Sequence, residues 1–123
     1  MNEITNSKQY DLEDRTLDFG KNTIKLCKTL PKNIINLELI KQLMRSSCSI
    51  GANYREANDA ISKKDFLHRT RIARKEARET TYWLNLILES SPEFSNQIEI
   101  LTKECQELRN ILSAILTKSE KQV

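Results

Sequence analysis

Lys64, His68, Arg71, Lys75 and Arg78 follow one another at steps of four and three residues. On a helix this spacing places them on one face, in a line about 20 Å long at 1.5 Å per residue. A line of cations suits contact with successive phosphates of a nucleic acid, each contact releasing condensed counterions. Acids at i+4, which usually neutralise and stabilise such a face, are nearly missing. Arg69 and Arg74 flank the line and support it. A charged face on an outer helix can also be simply solvated, and the shortage of acids is what favours phosphate contact.

Bond-making chemistry finds little footing. His68 is the only histidine, with Asp65 three residues before it. One Asp-x-x-His falls short of the two Glu-x-x-His pairs of a carboxylate-bridged di-iron bundle. The serines at 46, 47 and 49 have no histidine placed to activate them, and no glycine-rich phosphate loop occurs. Cys27, Cys48 and Cys105 are odd in number and far apart, giving neither a disulfide framework nor a zinc motif. They are expected to be reduced and largely buried. No enzyme, metal, cofactor or small-molecule substrate is expected.

A second polar set lies between Arg45 and Glu56. Its Ser, Cys, Gly and Asn residues are middling or poor helix formers. Yet Ile40, Leu43, Ile50, Tyr54, Ala57 and Ile61 carry an apolar helical stripe through it. The small residues then serve close helix packing. Arg45, Ser47, Ser49, Asn53, Glu56 and Glu76 become a packing and register network, in which Arg45 pairs with carboxylates inside the bundle or across a subunit interface.

The elements that position these residues are long helices. At 123 residues the chain makes one domain, and two Gly and two Pro leave little punctuation for a many-stranded fold. Asp11 caps a first helix whose seam is Leu12, Thr16, Phe19, Thr23, Leu26 and Leu30, ended by Pro31. A second helix spans about 36–60. Ser62 and Asp65 open a third, which runs to about Glu89 with Phe66, Thr70, Ala73, Ala77, Thr80, Leu84 and Leu88 inward. Pro92 starts the turn into a fourth, with Phe94, Ile98, Leu101, Cys105, Leu108, Leu112 and Ile115 as its seam. Short connections make neighbours antiparallel, so the expected fold is all-α, an up-down-up-down four-helix bundle over residues 10–119. Residues 1–9 are expected to be flexible and 120–123 frayed.

Past Arg78 the outward face of the third helix turns apolar, through Tyr82, Trp83 and Leu86. One bundle buries one stripe per helix, so this excess suggests self-association, with a wider inward stripe as the alternative. Residues 63–79 hold seven Lys/Arg against three acids, and this one segment carries the net charge of +3. The first 25 residues contain no apolar run, so neither a signal peptide nor a membrane segment is expected and the location should be cytoplasmic.

The segment from Leu43 to Ala57 resembles the Leu-x-Arg-Ser-x-x-Ser-Ile-x-x-Asn-x-x-Glu-Ala hallmark of the bacterial four-helix-bundle proteins, also known as intervening-sequence proteins of 23S ribosomal RNA. Lys64-Asp65-Phe66, the run from Ile72 to Thr80, and Tyr82-Trp83-Leu84 resemble the second block of that family. Tyr10-Asp11-Leu12 and Leu30-Pro31 fit its opening. Arg74 stands where many relatives carry a hydrophobic residue. The resemblance implies a ring-like homopentamer with a nucleic-acid-facing exterior; some members are encoded inside insertions in 23S ribosomal RNA. The function expected is non-enzymatic binding of structured RNA, with a protein-interaction scaffold as the alternative.

Overall fold

The computed structural model describes residues 12–121, and the expected Asp11 cap and flexible segment 1–9 lie outside them. Four helices follow in order: α1 (Leu12–Thr29), α2 (Ile34–Asn58), α3 (Lys63–Ser90) and α4 (Ser95–Lys121), with a 3-10 turn at Pro92–Phe94. Helix α4 includes Glu120 and Lys121, while residues 122–123 are outside the described range. Each helix packs on its sequence neighbours, α4 closes back on α1, and the diagonal pairs do not meet. This is an antiparallel four-helix bundle.

Local chemistry sets the helix ends. The Lys32 ammonium donates to the carbonyls of Cys27 at 2.7 Å and Leu30 at 2.6 Å, occupying acceptors left open at the end of α1. Asn33 caps α2, its side chain accepting the Asn36 N–H at 2.8 Å. Ser62 caps α3 through the Asp65 N–H at 3.1 Å, as its spacing predicts.

The α1 seam is buried throughout. The α4 seam is buried from Ile98 to Leu112, but its last fully buried member is Leu116, with Ile115 only half-buried. There a 3.6-residue helix drifts from a strict 4-3 repeat by about 20° per heptad, which moves the core position on by one. On α3 the core instead keeps 4-3 steps from Thr70 to Ile87, so Ile87 is buried completely and Leu88, one residue beyond the repeat, is half-buried. Ile61 departs further from expectation. Helix α2 stops at Asn58, and Ile61 in the connection is 96% exposed.

The close-packing role of the polar stretch is visible in the α1–α2 and α2–α3 contacts. Ser46 and Ser47 are fully buried, and the Thr80 hydroxyl of α3 sits 2.9 Å from that of Ser46. A Cβ on Gly51 would meet Thr16 Oγ1 of α1 at 2.9 Å, so α1 and α2 touch where one of them has no side chain. At one end, buried Asn36 donates to the Pro31 carbonyl at 2.9 Å and the Ser91 hydroxyl at 3.1 Å, and accepts from Ser90 at 2.7 Å. Toward the other end, Arg15 of α1 grips Glu104 of α4 through two bonds of 3.0 and 2.7 Å. The Glu104 hydrogen bond raises the Arg15 pKa above its ordinary value.

Candidate nucleic-acid interface

Helix α3 carries the candidate surface because its two sides are occupied differently. Toward α2 it presents Glu76, Glu79 and Thr80; toward α4 it presents Arg71, Arg74 and Ala77. Lys64, His68, Arg71, Lys75 and Arg78 are all exposed, as their spacing requires. Arg69 and Arg74 are half-buried.

The fold adds residues that periodicity could not supply. Arg109 of α4 joins Arg71, Arg74, Lys75 and Arg78 around a cleft of about 290 Å³ between α3 and α4. Arg71 pairs with Glu120 near the end of α4, and Arg74 reaches Ser113 at 3.5 Å. Arg74, Lys75, Arg78 and Arg109 have no carboxylate partner among the described residues. The line of positive charge is therefore one wall of a two-walled groove. Lys64 and His68 extend it toward the start of α3 and lie outside the cleft.

On the opposite side of α3, the register network forms with a changed membership. Arg45 donates to Glu76 at 3.3 Å and contacts Glu79, while its Nε donates to Gln42 at 3.1 Å. The Glu76 carboxylate is buried, so Arg45 supplies the charge it needs. Glu79 also accepts the Trp83 indole N–H at 2.9 Å. Gln42, Glu79 and Trp83 thus belong to this network, although their sequence positions alone did not place them there. Glu56 is exposed and stands apart from it. Asn53 bonds within its own helix, to the Ser49 carbonyl at 2.9 Å and hydroxyl at 3.0 Å, and Ser47 likewise to the Met44 carbonyl at 3.4 Å. These three set no interhelical register, because their polar atoms are satisfied locally or by solvent.

Of the expected interface residues, Tyr82 is 57% exposed and meets Trp83 edge-on at 5.0 Å between ring centroids. Leu86 is half-buried, and Trp83 leans partly onto the core. Among the cysteines, Cys27 and Cys105 are buried but Cys48 is exposed, contrary to the expectation for all three. Cys48 lines a groove between α1 and α2, opposite Leu17, Gly20 and Ile24.

The family model described as 23S rRNA-intervening sequence protein matches residues 8–114. The chain belongs to this family. A solved structure of a protein of unknown function from the S23 ribosomal protein family of Bacteroides thetaiotaomicron superposes with a TM-score of 0.81 at 35% identity. The match covers 89% of this chain and 98% of that one. No curated protein matches the chain. The family match embraces the α3 wall and Arg109 of the α4 wall, so the cleft-lining residues lie wholly within the matched region. No described helix is long and apolar enough to cross a membrane.

Proposed function

We propose that this member of the 23S rRNA-intervening sequence protein family is a non-enzymatic, cytoplasmic RNA-binding protein that grips structured RNA by its phosphates. The observation that carries the reading is the exposed edge of α3, where Lys75 and Arg78 stand without carboxylate partners among the described residues, beside Arg74 and Arg109. Unneutralised cations held close together repel one another, and a polyanion relieves that repulsion. The family's description ties its members to 23S ribosomal RNA, which makes a ribosomal RNA segment the leading ligand. Recognition runs through the backbone, so affinity depends on salt much more than on base sequence.

The working form is a homopentamer. Exposed Tyr82, with Leu86 beside it on α3, offers an aromatic anchor of the kind that dominates protein interfaces. Sedimentation should give five times the 14.3 kDa of one chain, and Tyr82→Asp should reduce that mass.

Reversing Arg71, Lys75 and Arg78 together to Glu tests the RNA reading. Gel retardation of 23S ribosomal RNA fragments at two salt concentrations should show binding by the native protein at low salt and none by the variant, with assembly size unchanged. Equal retardation by both proteins would sink the reading. No retardation of either would favour a protein-interaction scaffold.

A further inference from the structure

We propose that the α3–α4 cleft is a discrete phosphate socket, floored by Arg74 and Arg109, with Glu120 as the resident counter-ion that an incoming phosphate replaces. Four guanidinium groups and one ammonium, from Arg71, Arg74, Arg78, Arg109 and Lys75, line the same cleft of about 290 Å³. Arg74 and Arg109 are half-buried there and have no carboxylate partner among the described residues. Holding half-desolvated cations together opposes folding unless an anion completes the site. Guanidinium groups also match the oxygens of a phosphate in a planar, two-pronged way that lysine cannot. The Ser113 hydroxyl of α4 accepts from Arg74 at 3.5 Å, which holds that guanidinium against α4.

Glu120 provides the second observation. Its carboxylate sits on Arg71 at the rim, supplied by the last turn of α4. A carboxylate already occupying one of the cleft's guanidiniums is a weaker version of the ligand those guanidiniums suit. The socket therefore reads as closed at one corner and open at the rest. A single RNA backbone phosphate entering it would pin α3 and α4 to the same point of the ligand. The remaining line from Lys64 then sets the direction in which the strand leaves. The identity of the natural ligand rests on the RNA reading above; the socket itself does not.

Two measurements separate them. Pyrophosphate alone should raise the melting temperature of the native protein above that in chloride of equal ionic strength, and should do nothing for an Arg74→Gln/Arg109→Gln variant. No pyrophosphate-specific shift in the native protein overturns the socket, whatever RNA does. With RNA, Arg109→Gln should weaken binding about tenfold and reduce the salt slope by about one, although Arg109 lies off the α3 line. Native-like RNA affinity in Arg109→Gln overturns the socket while leaving the line intact. Glu120→Gln should strengthen RNA binding several-fold, whereas Glu38→Gln, the same charge change on α2, should leave it unchanged. Equal effects from both would reduce Glu120 to general charge and remove it from the proposal.

Discussion

Arg45 shows how one residue's environment decides its worth. Its side chain is 46% exposed, but the Glu76 carboxylate it serves is only 11% exposed. Removing the cation leaves that carboxylate short of a partner in a poorly solvated place. Arg45→Ala should therefore cost about 2 kcal/mol in urea unfolding, and adding Glu76→Gln should recover part of the loss. Strict additivity of the two changes would show that the pair carries no coupling. The thiols make a different prediction. Burial pushes Cys27 up to about 11 and Cys105 up to about 12. In the unfolded chain both deprotonate near pH 8.5–9, so above that range the unfolded state holds fewer protons than the folded one. Their contribution is fully present below pH 8.5 and is lost as pH rises toward 11–12. The melting temperature should fall across that window, and less steeply in Cys27→Ala/Cys105→Ala. Exposed Cys48 should be the thiol alkylated first by iodoacetamide in the native protein.

At the scale of helices, the two glycines of the chain make opposite demands. Gly20 has open space where a Cβ would stand, so Gly20→Ala should stabilise α1 by roughly 0.5–1 kcal/mol. Gly51→Ala drives a methyl against Thr16 of the neighbouring helix and should destabilise by about 1–3 kcal/mol. Thermal unfolding of the pair checks both signs. Seams at four- and three-residue steps made the four helices and most of their buried faces legible in the sequence. What eluded it was phase at the far ends, where Ile87 and Leu116 take the core positions assigned to Leu88 and Ile115. The site was legible by half for a related reason. A helical period tells which residues of one helix share a face, so the α3 line could be read directly. It says nothing of which residue on the next helix comes opposite, so Arg109 and Glu120 became visible only with α4 in place. Glu79 was missed similarly: in sequence it sits among arginines of its own helix, but in the bundle it turns to Arg45 and Trp83.

The whole molecule joins a modest net charge to a very uneven one. With one phosphate in the α3–α4 groove and about two more along the row back to Lys64, log affinity should fall against log salt with a slope of roughly −2 to −3. A slope near zero with retained binding would exclude phosphate contact as the source of affinity. The bundle frame allows this arrangement because each helix touches only its two flanking neighbours. The outer edge of α3 can therefore be given over to cations, with Ala73, Ala77 and Leu84 still holding the core. The same gathering of charge on one edge also has a consequence in time. A body whose positive charge lies to one side is turned by the field of a polyanion before the two surfaces touch, and arrives already facing it. Stopped-flow mixing should then show the association rate dropping steeply with added salt. Neutralising Lys64, at the outlying end of the row, should slow arrival more than it hastens departure.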